Sequence, residues 1–166
     1  MRFRTILLTL FTISAAFAQA PSATTPYSLT ISAPITTTTA GKPVELQITL
    51  ENTSHQELTI VKSRATTLGE LTYDIAVVTT AGGPVVLTPY GRALHGQSTN
   101  PPIVIRSSPR EVTLKPHEKV VDTVLLNKIY DLTPGSYIVR VRKVQATNDP
   151  GPNIVSNTVQ LTILSN

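Results

Sequence analysis

The chain of 166 residues has no cysteine and no tryptophan, and only 14% of its residues are charged. Without cysteine there is no disulfide, no thiolate metal site and no lipid-modified N-terminus. The single methionine and all three phenylalanines (Phe3, Phe11, Phe17) fall within the first seventeen residues. Beyond them the aromatics are five tyrosines, Tyr27, Tyr73, Tyr90, Tyr130 and Tyr137, so any core must be built from Val, Ile and Leu. Sustained 3.6-residue apolar spacing is missing, which argues against helical bundles and coiled coils. There is no glycine-rich phosphate loop and no Gly-x-Ser-x-Gly elbow, so nucleotide binding and serine hydrolysis lack their usual carriers. His117-Glu118 does not begin a zincin motif, because Val121 stands where the second histidine would be needed. His55 and His95 lie in separate polar stretches, and three scattered histidines without cysteine argue against structural zinc. Asn148, Asp149 and Asn153 are turn formers with one carboxylate among them, too few for calcium. The expectation is therefore no catalytic residue, no metal and no cofactor.

What is present begins with a basic start (Arg2, Arg4), an apolar run from Ile6 to Phe17, and Ala16-Phe17-Ala18. That order reads as a secretory signal peptide over residues 1–18 with an Ala-x-Ala cleavage site, and the run is shorter than the roughly 18–20 residues that span a bilayer. Residues 19–26, rich in Ala, Pro, Ser and Thr, read as a flexible leader. Residues 27–166 read as one domain, with no internal repeat and no transmembrane span. Losing Arg2 and Arg4 takes the formal charge from +4 to twelve basic against ten acidic residues, a surplus too small to imply nucleic acid. The mature chain is expected to be secreted or periplasmic.

From Tyr27 onward the hydrophobic period is two. Tyr27, Leu29 and Ile31 alternate with Ser28, Thr30 and Ser32; Thr36 to Thr39 then form a polar connection. Val44, Leu46, Ile48 and Leu50 alternate with Glu45, Gln47 and Thr49, the pattern of a strand buried on one face. Asn52-Thr53-Ser54 is a turn and also an N-x-S sequon. Further strands are expected at Leu58–Val61, Leu71–Val77, Val85–Leu87 (after a Gly82-Gly83 turn), Ile103–Ile105, Glu111–Leu114, Lys119–Leu126, Tyr137–Arg142 and Val159–Ile163. One helical turn is expected at Asn127–Tyr130, and residues 88–102 read as the longest loop. Strands every eight to fifteen residues with Gly, Pro or Asn between them predict an all-β, Greek-key sandwich of about seven to nine antiparallel strands.

Residues 131–142 sharpen that reading, because Pro134-Gly135 turns the chain and feeds Tyr137 into an alternating strand. In immunoglobulin-type sandwiches a tyrosine there returns its hydroxyl to upstream backbone and clamps the corner. Pro134, Gly135 and Tyr137 are accordingly structural candidates. The strand ending Leu50-Glu51-Asn52-Thr53-Ser54, with Leu114-Lys115-Pro116 and Tyr130-Asp131-Leu132-Thr133-Pro134-Gly135-Ser136-Tyr137, resembles bacterial immunoglobulin-like domains of two kinds. One is the intracellular proteinase-inhibitor type; the other is the noncatalytic sandwich that accompanies deuterolysin-like metallopeptidases. The likeness runs from about residue 43 to 142 and implies a sandwich that contacts other proteins, proteases among them. Leu132 and Tyr137 are five residues apart, where a fibronectin-type corner spaces them by six.

Two groups of residues are candidates for binding. Tyr90, Arg92 and His95 lie in the 88–102 loop, where tyrosine and arginine are types enriched at interfaces. Arg140 and Arg142 share the outward face of one strand and could grip carboxylate or phosphate, or protect an edge. The function these features predict is a noncatalytic accessory module recognising a protein or cell-surface polymer through its loops. The alternative is a protease inhibitor or protease-associated folding module.

Overall fold

The computed structural model describes residues 25–64, 72–105, 108–143 and 154–166. The signal-peptide reading, most of the leader, Leu71 and the Asn148–Asn153 turn lie outside them. Among these residues nine strands and two short helices run in the order β1 (Tyr27–Ser32), β2 (Thr37–Thr39), β3 (Glu45–Asn52), β4 (Leu58–Arg64), β5 (Tyr73–Thr79), α1 (Pro89–Leu94), β6 (Ser108–Leu114), β7 (Lys119–Leu125), α2 (Leu126–Ile129), β8 (Gly135–Lys143) and β9 (Val159–Leu164). They form sheets ordered β1-β3-β7 and β2-β9-β8-β5, plus a β4-β6 ribbon. Pairing of β3 with β7 and of β5 with β8 supplies the crossed connections of a Greek-key sandwich.

Period-two alternation positions the core. In β3, Leu46, Ile48 and Leu50 are fully buried while Glu45 on the other face is exposed. They meet Tyr73, Ile75 and Val77 of β5, Tyr137, Val139 and Val141 of β8, and Leu161 and Ile163 of β9 in one apolar cluster. At the corner, Tyr137 donates its hydroxyl to the Thr133 carbonyl at 2.6 Å, and Gly135 takes a φ of 155° that side chains rarely allow. Asn157 acts as a substitute peptide: its Oδ1 accepts from Ile31 N at 2.7 Å and its Nδ2 donates to Ile31 O at 3.0 Å.

Several local expectations are overturned. Thr37–Thr39 is a strand rather than a connection, and it pairs parallel to β9, so the sandwich is not wholly antiparallel. A three-residue polar segment carries no period of its own; its partner lies far away in sequence. Val85–Leu87 is not a strand, since Pro84 and Leu87 make only isolated bridges to Val78 and Tyr130. Ile103–Ile105 is irregular, with Val104 left open to water. Within 88–102, Pro89–Leu94 is helical.

Two polar knots tie the sheets together. Asp122 on β7 accepts from Lys62 Nζ of β4 at 2.7 Å and from the Tyr73 hydroxyl of β5 at 2.8 Å, joining one strand from each sheet and one from the ribbon. Burial, then the Asp122 charge, pushes the Tyr73 phenol far above its ordinary range. Asn52 is fully buried where the β3–β4 and β6–β7 turns meet. Its Nδ2 donates to the carbonyls of Gln56 (2.8 Å), Leu114 (2.9 Å) and Lys115 (3.1 Å), and its Oδ1 accepts from Ser54 N (2.9 Å) and Oγ (2.8 Å). The sequon asparagine is thus a structural amide with no face open to an oligosaccharide.

Candidate functional site

The helices gather at the end of the sandwich where β3 begins and β7 ends. Glu45 pairs with Leu125, and Leu126 N donates to Val44 O at 2.9 Å, so α2 continues straight from β7. Thr88 fixes α1 above it. Its backbone N donates to Ile129 O at 2.9 Å, and its Oγ1 donates to Lys128 O at 2.6 Å while accepting from Gly91 N at 2.9 Å. Pro89 follows in the first turn, where a missing N–H costs nothing. Gly91 is buried against the Ile129 carbonyl; a Cβ there would sit 2.1 Å from that oxygen, so only glycine permits the two helices to touch.

The candidate residues fall into two separate places. Tyr90 is half-buried against the core, and Lys128 Nζ lies 4.9 Å from its ring centroid, within cation–π range. Arg92 directs Nη1 back to Leu87 O at 2.9 Å, so part of its donor set holds the loop. His95 ends α1 in solvent, its backbone N donating to Gly91 O at 3.1 Å. Val86, just before α1, is 67% exposed, and Val104, further along the chain, is 75% exposed. At the same end a groove of about 380 Å³ is lined by Pro34, Ile35, Thr38, Lys42, Pro43 and Glu45.

Arg140 and Arg142 stand on the outer face of β8, where Arg142 pairs with Asp74 at 2.6 Å and Arg140 Nη2 reaches Thr158 Oγ1 at 3.4 Å. Arg142 is seven residues beyond Gly135, roughly 23 Å along the strand, so it belongs to the opposite end. Lys143 next to it points inward, 99% shielded, with Nζ 5.9 Å from the Tyr27 ring centroid. The exposed Arg142–Asp74 pair contributes about 0–1 kcal/mol. These arginines are not part of the helical end.

Sequence reasoning missed α1, although Thr88-Pro89 is a legible helix start: a capping hydroxyl followed by proline. It also gave no warning of Val86 and Val104, whose exposure depends on what the rest of the chain leaves uncovered.

No family model matches the sequence, and no curated protein does. Solved structures with a similar chain path include a CARDB domain from Pyrococcus furiosus in complex with di-metal ions, at 12% identity and a TM-score of 0.40, covering 84% of this chain and 94% of that one. A β-glucosidase from Listeria innocua in complex with glucose (12% identity, TM-score 0.42) and the β-glucosidase EmGH1 from Erythrobacter marinus (10% identity, TM-score 0.42) each match over 84% of this chain. This chain spans only 16% of the length of either glucosidase. At such identities and scores none of them bears on what the chain binds.

Proposed function

We propose that the chain is an exported, noncatalytic accessory module that recognises a protein or cell-surface polymer through its helix-bearing end. One observation carries the reading: Val86 is held open to water beside a helix that is locked to the domain by Thr88 and Gly91. Apolar side chains on a rigid mount, next to a tyrosine and cations, are what an interface core uses, because little entropy is lost on docking. Secretion or a periplasmic location is supported by the residue order in 1–18, and the charge balance does not favour nucleic acid. Among the described residues no helix is long and apolar enough to cross a membrane.

The test is a comparison of immobilised wild-type protein with a Val86→Asp/Tyr90→Ala variant and an Arg140→Ala variant, each exposed to secreted and envelope fractions of a bacterial culture. A component retained by wild type and Arg140→Ala, and lost from the double variant, supports the surface. Equal retention by the double variant removes it.

A further inference from the structure

We infer that His55 and His117 form a two-imidazole site for a divalent transition-metal ion at the end of the sandwich opposite the helices. The two lie 62 residues apart in sequence, yet the fold sets their rings edge to face, with centroids 6.2 Å apart and planes at 75°. Metal–nitrogen bonds of about 2.0–2.1 Å, with the ring radius added, place two imidazoles on one ion with centroids roughly 4.5–6.5 Å apart, depending on the angle at the metal. The observed separation falls inside that span, towards its wide end, where the two nitrogens face each other nearly trans across the ion.

The mounts are rigid. His55 lies between Ser54 and Gln56, both bonded to the buried Asn52 side chain. His117 lies between Lys115, whose carbonyl accepts from Asn52 Nδ2, and Glu118, whose carbonyl accepts from Asn52 N. His117 N itself donates to Asn52 O at 2.9 Å. One residue therefore holds both ligands, and a site held in place before the ion arrives loses little entropy in binding it. His117 also takes a φ of 63°, left-handed backbone that glycine would adopt most cheaply. Both rings are exposed, which leaves the remaining coordination positions to water. Among the described residues no group of three or more His, Cys, Asp or Glu could hold an ion, so the proposed donor set is the two imidazoles alone. That set suits Cu²⁺, Ni²⁺ and Zn²⁺, with Cu²⁺ tightest, and disfavours Ca²⁺ and Mg²⁺. This site is independent of the binding surface proposed above.

The test is calorimetric titration of the full chain with Ni²⁺ and with Cu²⁺ at pH 7.5, alongside His55→Ala, His117→Gly and His95→Ala. His117→Gly removes the ligand while suiting the backbone, so loss of binding cannot be blamed on misfolding. We expect one ion per wild-type chain, at least tenfold weaker binding in the first two variants, and no change in His95→Ala. The wild-type Tm should rise by about 5–10 °C at a hundredfold excess over Kd. Ni²⁺ should broaden the ring resonances of His55 and His117 and spare those of His95. Wild-type binding no tighter than that of His55→Ala or His117→Gly, or broadening centred on His95, overturns the site.

Discussion

Replacing Asn52 with alanine withdraws every hydrogen bond its side-chain amide makes: three donated to the carbonyls of Gln56, Leu114 and Lys115, and two accepted from Ser54. Water can reach the Gln56 and Lys115 carbonyls in the variant, so their loss costs only the net worth of a hydrogen bond, about 0.5–1.5 kcal/mol each. The Leu114 carbonyl belongs to a residue only 2% exposed and has no such recourse; stranding it costs about 1–3 kcal/mol. The sum is about 2–6 kcal/mol against a total stability of roughly 5–15 kcal/mol. In urea, with a slope of about 1–3 kcal/mol/M, the midpoint should fall by roughly 2 M with the slope unchanged. Asn52→Asp should be at least as damaging, because a carboxylate would face three carbonyl oxygens with no proton to offer. A loss below about 1 kcal/mol for Asn52→Ala would refute the claim that this amide joins the two turns. In a glycosylating host the folded product should carry no glycan at Asn52, which intact-mass spectrometry would check.

Other perturbations probe the sheets. Leu46→Asp puts an unpaired carboxylate into the core and should unfold the domain, whereas Glu45→Lys on the wet face should be nearly neutral; equal effects in circular dichroism would mean the faces are misassigned. Asp122→Ala leaves Lys62 buried without its carboxylate and should cost about 3–5 kcal/mol by urea denaturation. Stability should also fall at alkaline pH. Burial, followed by the Asp74 charge, pushes the Tyr130 phenol up to about 12, its hydroxyl donating to the Ile75 carbonyl. Since the folded state favours the neutral phenol, its contribution is whole below pH 10 and is lost as pH climbs from 10 towards 12; Tyr73 acts with the same sign. A urea midpoint that does not drop between pH 9 and 11, or a drop unchanged in Tyr130→Phe, would contradict this.

What could be read from the sequence was local. Alternation in Val44–Leu50 assigned the buried and wet faces of β3, because side-chain direction in a strand follows from position alone. Pro134-Gly135 before Tyr137 announced a corner, because the turn geometry and the tyrosine's reach both lie within a few residues. Tertiary structure decided whatever depends on partners remote in sequence. Thr37–Thr39 becomes a strand only because β9 offers it an edge, and Ile103–Ile105, apolar enough for a strand, is offered none. Asn52 reads as a turn residue until the fold buries it and supplies its bonds. His55 and His117 read as unrelated solvated side chains until two turns, 62 residues apart, are fastened to one buried amide. Periodicity states which way a side chain points; only the closed sandwich determines what it meets.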